Sequence, residues 1–120
     1  MNKPYILSID DEILNQEIVI DLLENKFEIT TLSNGQECLE SVAEKIPELI
    51  LLDINMPVLN GLETCKHLKT NDKFKNIPII FVSALASEKE QVIGIESGGD
   101  DYLTKPFNEE ELMNMINKYI

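Results

Sequence analysis

The sequence predicts an α/β domain, a parallel sheet with helices on both faces. Three observations carry that expectation. Leu49-Ile50-Leu51-Leu52, set between Pro47 and Pro57, is too short for a helix and lacks the alternation of a half-wetted strand, so it reads as a strand buried on both faces. Strand-like and helix-like segments alternate along the whole chain, which calls for parallel strands joined by right-handed crossovers. The apolar strands also end in chemistry, at Asp10-Asp11-Glu12, Asp53, Ser83 and, after a short last strand, Lys105. Ligands of open α/β sheets bind outside the carboxyl ends of the strands, so Asp53 stands where chemistry is expected.

Tyr5 to Ile9 is a first strand, apolar enough to be buried. From Glu12 to about Asn25, Leu14, Ile18, Leu22 and Leu23 recur at helical spacing among Glu17, Asp21 and Glu24, predicting an amphipathic helix that buries that stripe. Phe27 to Leu32 alternates and is rich in β-branched residues, a strand whose polar residues suit an edge, closed by Asn34-Gly35. Gln36 to Lys45 places Cys38, Leu39, Val42 and Ala43 on one face of a second helix that Pro47 prevents from running on. After the central strand, Pro57 and Asn60-Gly61 mark a loop, and Leu62, Cys65 and Leu68 give a third helical stripe. Pro78 to Val82 is a fourth strand, ending in Ser83-Ala84. Ser87-x-x-Glu90 has the form of a capping box and opens a fourth helix, weak because it holds Gly94 and only Val92, Ile93 and Ile95 as apolar residues before Gly98-Gly99 stops it. Asp101 to Thr104 is a short fifth strand, and Asn108 with Glu109 to Glu111 caps and charges the start of a fifth helix carrying Leu112, Met115, Ile116 and Tyr119.

Five strands thus alternate with five helices and no linker intervenes, so residues 1–120 read as one domain. With the Asp53 strand central, the expected order is 2-1-3-4-5, the flavodoxin-like (βα)5 doubly wound arrangement. A net charge of −12, from 10 Lys plus Arg against 22 Asp plus Glu, argues against direct nucleic-acid binding, which needs clustered basic residues. Cys38 and Cys65 form no C-x-x-C pattern and suit helix packing as free thiols. There is no signal-peptide pattern and no apolar run near the roughly 18 residues of a membrane span, so a soluble, cytoplasmic protein is expected.

Carboxylates gathered at one sheet edge repel each other unless something positive sits among them. A divalent cation answers that need, and an all-oxygen site with few carboxylates suits Mg²⁺, with Mn²⁺ as a substitute. Lys105 adds a fixed charge and Ser83 a hydroxyl, both expected on the side of Asp53 away from Asp10-Asp11. Together these groups would stabilise the equatorial oxygens of a phosphoryl group passing to a carboxylate.

Asp10-Asp11, Asp53 with Met56-Pro57 and Gly61, Ser83-Ala84, and Lys105-Pro106-Phe107, in that order over essentially the whole chain, resemble a response-regulator receiver domain of two-component phosphorelays. The resemblance implies that Asp53 accepts a phosphoryl group from the phosphohistidine of a histidine kinase or histidine phosphotransfer protein. It implies that Asp11 and Asp53 bind Mg²⁺ directly with the backbone carbonyl of Asn55, and Asp10 mainly through water. Ser83 and Lys105 would contact phosphoryl oxygens, and the Lys105-Pro106 bond would be cis. Ser83 and Tyr102 would form the switch, the hydroxyl moving towards the phosphoryl group and the aromatic ring turning in behind it. The output surface, towards an effector domain or target protein, would be the fourth helix, fifth strand and fifth helix, and a phosphorylation-dependent homodimer stays open. Such a domain assists its own phosphorylation and dephosphorylation without being an enzyme in the usual sense.

Some positions depart from the family pattern. Ser83 replaces the commoner Thr and keeps the donor; Asn55 and Leu85 stand where residues flank the attacking water; Gly99 stands where Ala is common, a change expected to loosen the turn before the fifth strand. Three other functions fit these residues less well. A phosphatase of the haloacid-dehalogenase type wants a second Asp two residues after the nucleophile, where Asn55 stands. A flavodoxin-like cofactor binder needs a first loop that cradles phosphate, which Asp10-Asp11-Glu12 would repel. An inert receiver would not need the complete residue set. His67, alone on a helix, reads as surface, and Met113 and Met115 as core or rim.

Overall fold

The computed structural model describes residues 3–85 and 87–120, and among these five strands alternate with five helices. They are β1 (Tyr5–Ile9), α1 (Ile13–Leu23), β2 (Glu28–Leu32), α2 (Gly35–Glu44), β3 (Leu49–Leu52), α3 (Gly61–Lys69), β4 (Ile79–Ser83), α4 (Glu88–Glu96), β5 (Asp101–Thr104) and α5 (Glu109–Asn117). The sheet is parallel throughout in the order β2-β1-β3-β4-β5, as the sequence predicts. Its central strand is Leu49–Leu52, every residue of which is buried.

The pleat sends alternate residues to two cores. Leu7, Ile9, Ile50, Leu52, Ile79 and Phe81 meet Cys38 and Val42 of α2 and Cys65 and Leu68 of α3 on one face. Ile6, Leu49, Leu51, Ile80, Val82 and Leu103 meet Val19 and Leu23 of α1 and Leu112 and Ile116 of α5 on the other. Two-sided burial is why these strands are continuous apolar runs. Both cysteines are free and buried in the first of these cores, as helix packing requires. Burial pushes the Cys38 thiol up to about 12 and raises that of Cys65, which leaves both poor nucleophiles.

Helix α1 packs on a different side from the one its periodicity suggests. The predicted α1 stripe was Leu14, Ile18, Leu22 and Leu23, but the residues buried are Val19 and Leu23, while Ile13 and Leu14 are 70% and 67% exposed and Ile18 42%. Apolar residues surround this helix on more than one side, so periodicity alone left several faces equally eligible. The pairs Asn34-Gly35 and Asn60-Gly61 end the segments before α2 and α3, as expected, and also begin those helices. Asn34 and Asn60 are N-caps whose side chains accept from the Glu37 and Glu63 N–H groups, and each Gly is the first helical residue.

Gly99 has a packing role. A Cβ there would overlap the buried Phe81 ring, with Phe81 Cδ2 at 2.7 Å, so its lack of a side chain makes room for a large core residue on β4. The turn itself is well made: the Gly99 N–H donates to the Gly94 carbonyl and the Gly98 N–H to that of Ile95, with Gly98 at φ +110°, closing α4 in a Schellman motif.

Candidate functional site

The backbone sets the site before any side chain does. At the carboxyl edge each candidate residue is tied to the end of a neighbouring strand: Asp10 N–H donates to Leu32 O (3.0 Å), Asp53 N–H to Ile9 O (3.0 Å) and Lys105 N–H to Ser83 O (2.8 Å). Gly61 brings the loop after β3 back over Asp53, since its N–H donates to Ile54 O at 2.9 Å and a Cβ would overlap the Asp53 carbonyl oxygen. In that loop Val58 sits at φ 70°, a conformation unfavourable for a β-branched residue.

Asp10 and Asp53 are 6% and 7% exposed. The Lys105 ammonium joins them, donating to Asp10 Oδ2 at 2.6 Å and to Asp53 Oδ2 at 3.4 Å. The strand order puts Lys105 beyond Asp53, as expected, but its side chain does not stay on that side. It reaches across to Asp10. The other oxygen of Asp10, Oδ1, accepts the Glu12 N–H at 2.9 Å. Gln16, not singled out from sequence, donates to the carbonyls of Asp10 (2.7 Å) and Leu32 (3.2 Å), tying α1 to the site loop. No sequence signal sets Gln16 apart from Asn15, Glu17 and Asp21 of the same helix as a brace.

Burial raises the Asp53 pKa above the usual carboxylate range, and the charge of Asp10 adds to the rise while Lys105 opposes it. Burial works against the Lys105 ammonium, but its hydrogen bond to Asp10 and the charges of Asp53 and Asp10 outweigh it and hold its pKa above the ordinary lysine value. Asp53 is thus a carboxylate in want of positive charge. Asp11 is exposed, and its carboxylate, with those of Asp10 and Glu12, offers oxygens all within 4.8 Å of one another. Asn55 is exposed on the loop after Asp53, and among the described residues no donor reaches its carbonyl. An all-oxygen donor set with a buried, under-compensated carboxylate beside it fits a hard divalent cation.

Ser83 and Tyr102 form a second group. Ser83 is buried, and its Oγ accepts the Leu85 N–H at 3.1 Å; among the described residues it makes no hydrogen bond to Asp53 or Lys105. The Tyr102 hydroxyl donates to the Leu85 carbonyl at 2.6 Å, and its ring lies 6.2 Å from that of Phe81. A Cβ on Gly94 would meet Tyr102 at 3.2 Å, so a glycine in α4 lets the ring sit close. Burial raises the Tyr102 pKa; the Ser83 hydroxyl beside it works the other way, and the charges of Glu90 and Asp53 add to the rise. Pleat parity explains the division: Asp10, Asp53 and Lys105 fall on the α1/α5 side of their strands, whereas Ser83 follows Phe81 towards α4. Beside Asp53 a cavity of about 360 Å³ opens between α1 and the segment after β5, lined by Ile18, Val82, Lys105 and Phe107. The Lys105-Pro106 bond is cis, as expected.

Comparison with known proteins places this arrangement. The profile of the response regulator receiver domain matches residues 6–117. The chain belongs to this family. As a receiver domain it is a phosphorylation-activated signalling element of two-component systems and not an enzyme in the usual sense. It is 40% identical over 112 residues to the transcriptional regulatory protein CpxR homolog of Haemophilus influenzae, covering 92% of this chain and 48% of that one. The chain therefore spans about half the length of such curated relatives. Among solved structures it resembles the chemotaxis response regulator CheY4 of Vibrio cholerae (28% identity, TM-score 0.92, 99% and 100% of the two chains). It also resembles the receiver domain of the sensor histidine kinase PA1611 from Pseudomonas aeruginosa, described with a magnesium ion in its active-site cleft (25% identity, TM-score 0.91, 98% and 97%). Receiver domains bind Mg²⁺ in the active site, and the donor set here suits that ion. Among the described residues no helix is long and apolar enough to cross a membrane, and His67 is exposed.

Proposed function

We propose that Asp53 is the phosphoacceptor, taking a phosphoryl group from the phosphohistidine of a histidine kinase or phosphotransfer protein. The observation that carries this reading is the buried Asp53 carboxylate held 3.4 Å from the Lys105 ammonium at the centre of the sheet edge. An Asp53 Oδ attacks phosphorus, the P–N bond to imidazole breaks, and the imidazole leaves, picking up a proton. The product is an acyl phosphate, which water later cleaves to phosphate and Asp53. Lys105 pairs with the transferring oxygens, Ser83 donates its hydroxyl to one of them, and Asn55 and Leu85 flank the path of the attacking water. By the family resemblance, direct metal ligation is by Asp11, Asp53 and the Asn55 carbonyl, with Asp10, whose oxygens accept from Glu12 and Lys105, acting through water. Mg²⁺ bound there would neutralise charge accumulating on the phosphoryl oxygens. Mn²⁺ fits the same ligands.

The donor is a protein in this reading. Ile18 lines the cavity beside Asp53, and exposed Ile13 and Leu14 on the same helix offer further apolar surface to it. The acyl phosphate draws Ser83 towards it, which disturbs the Ser83–Leu85–Tyr102 linkage and shifts α4, β5 and α5, the face presented to an effector domain or target protein. Residues 1–120 act as one such unit, in the cytoplasm, where Cys38 and Cys65 remain thiols.

The test is intact mass after incubation with acetyl phosphate, with and without Mg²⁺, on the wild type and Asp53→Asn. Because burial and Asp10 disfavour ionised Asp53, the fold is stabilised below that group's unfolded pKa and loses this as pH rises through the raised folded value. Asp53→Asn is therefore expected to be at least as stable as wild type near neutral pH. A Mg²⁺-dependent gain of one phosphoryl group, absent in Asp53→Asn, is the expected result. Labelling that persists in the folded variant would remove Asp53 from this role.

A further inference from the structure

We propose that the cavity beside Asp53 is a binding site for a small, uncharged aromatic compound carrying one hydroxyl or N–H group, and that its occupancy opposes phosphoryl acceptance; this second part rests on the reading of Asp53 as a phosphoryl switch. The residue that points to the site is Ser8. It interrupts the otherwise apolar β1, every residue of which is buried, and it stands between Thr31 and Leu51 of the neighbouring strands. Ser8 is 4% exposed and lines the cavity, and among the described residues its hydroxyl makes no hydrogen bond. A hydroxyl held away from bulk water without a partner costs free energy that a ligand group can recover.

Shape and polarity decide the class of ligand. At about 360 Å³ the cavity exceeds by more than a factor of two the roughly 150 Å³ space that takes up benzene, which suits a fused two-ring compound. Its room comes from small side chains: Leu51 and Val82 fill their places on the α1/α5 face of the sheet, whereas Ser8 on β1 and Ala84 after β4 do not. Ile18, Val19 and Phe107 complete the apolar walls. Asp10, Asp53 and Lys105 stand at the mouth, and Ser8 lies two residues back along β1, about 6–7 Å in from the edge. A water molecule needs two to four polar partners, and this inner end offers the Ser8 hydroxyl among apolar walls. A charged ligand would leave its charge uncompensated there, and an anion would also meet two carboxylates at the mouth. An uncharged ring with one polar group satisfies Ser8 and fills the rest.

The mouth ties occupancy to phosphoryl acceptance. Lys105 lines the cavity while its ammonium reaches Asp10 at 2.6 Å and stays 3.4 Å from Asp53. A phosphoryl group on Asp53 draws that ammonium towards its own oxygens and reshapes the mouth, whereas a ring packed between Ile18 and Phe107 holds the mouth as it stands. Affinity for the ligand therefore differs between the two states, and by linkage the ligand disfavours the phosphoryl-bearing state by the same factor.

The experiment titrates the ¹⁵N-labelled chain with 2-naphthol, naphthalene and 2-naphthoate, which share one ring system and differ in the polar group. 2-Naphthol is expected to shift the amide signals of Ser8, Val19, Val82 and Phe107 and to bind about tenfold more tightly than naphthalene, with 2-naphthoate not binding. Ser8→Ala keeps the room and removes the hydroxyl, so it should bring the affinities of 2-naphthol and naphthalene together; Ser8→Leu fills the room and should weaken both. Beryllofluoride with Mg²⁺ is expected to lower 2-naphthol affinity several-fold, and 2-naphthol to lower beryllofluoride affinity by the same factor. Equal binding of 2-naphthol and naphthalene, an unchanged preference in Ser8→Ala, shifts confined to another face, or a cavity that takes up water and none of the three compounds would each overturn the site. A 2-naphthol affinity that beryllofluoride leaves unchanged would overturn the coupling. Acetyl phosphate labelling of Asp53 on the same samples separates this proposal from the reading it rests on. Labelling without 2-naphthol binding sinks the cavity site alone, whereas binding without labelling sinks the acceptor assignment and leaves the site standing.

Discussion

Helices α3 and α4 have the same length, nine residues each, and each bridges two parallel strands, yet they are held in opposite ways. Helix α3 opens with a reciprocal capping box between Asn60 and Glu63, buries Thr64, Cys65 and Leu68 completely, and ends with Lys66, His67 and Lys69 beside the negative end of its dipole. Lys69 then donates to the Ile77 carbonyl and to Asp100, fastening the helix to the far end of the sheet. Among the described residues of α4 the one buried position is Gly94, while Val92, Ile93 and Ile95 face solvent and no basic residue sits in its last turn. The difference is instructive. Helix α3 is anchored in a filled core, whereas α4 is attached mainly through the ring of Tyr102 and the Gly98-Gly99 turn.

The sharpest way to break that comparison is to truncate one side chain from each helix. Leu68→Ala is expected to cost about 2–5 kcal/mol in urea unfolding, because it empties part of a filled core. Val92→Ala should stay within about 0.5 kcal/mol. Equal losses would mean that α4 is as firmly anchored as α3. Smaller, but directed at the turn that closes α4, is Gly99→Ala, expected to destabilise by about 1–3 kcal/mol through overpacking against Phe81. The double variant Gly99→Ala/Phe81→Leu should recover part of that loss, and strict additivity in the double-mutant cycle would show that the two positions do not share space.

The caps give a third comparison. Asn60→Ala is expected to cost about 1 kcal/mol of global stability. Ser87→Ala, which removes the acceptor for the Glu90 N–H, should instead act locally, speeding hydrogen exchange of α4 amides with little change in the urea midpoint. Exchange of α3 and α4 amides at one common rate would remove the distinction. Last, α5 is fastened by the Tyr119 hydroxyl, which donates to Asp101 Oδ2 at 2.8 Å. Tyr119→Phe is expected to cost about 0.5–1.5 kcal/mol near neutral pH. Burial first, and then Asp101, raise the Tyr119 pKa from its ordinary 10.0 to about 12. A raised pKa means stability fully present below the unfolded value and lost as pH climbs through the folded one. The stability difference between wild type and Tyr119→Phe should therefore shrink between pH 10.0 and about 12. A difference that holds constant over that window would place the Tyr119 contribution elsewhere.

Much of this was legible in the amino-acid order, for local reasons. The type and order of all ten elements, the central place of Leu49–Leu52 and the edge place of β2 follow from periodicity, from Pro and Gly positions, and from apolar runs that only two-sided burial explains. The few apolar residues of α4 were visible in its own sequence, as was the Asn108 cap of α5. The candidate residues were found because each directly follows or ends a strand, and parallel strands deliver their ends to one edge. What failed was a choice among locally equivalent options: which side of the apolar α1 packs.

Pairings between distant parts of the chain were beyond that reach. Lys105 meets Asp10 across 95 residues, and Tyr102 meets the Leu85 carbonyl across 17, through flexible side chains whose direction depends on the space that other elements leave. The open space at Gly94 and Gly99, filled by Tyr102 and Phe81, likewise exists only once β4, β5 and α4 are packed. The sequence by itself determined the elements, their order and the edge where chemistry gathers, because those depend on neighbours along the chain. Only the tertiary structure decided that the three charged groups close on one another while Ser83 turns with Tyr102 towards α4, because that depends on which strand face each residue occupies and on what fills the room beyond it.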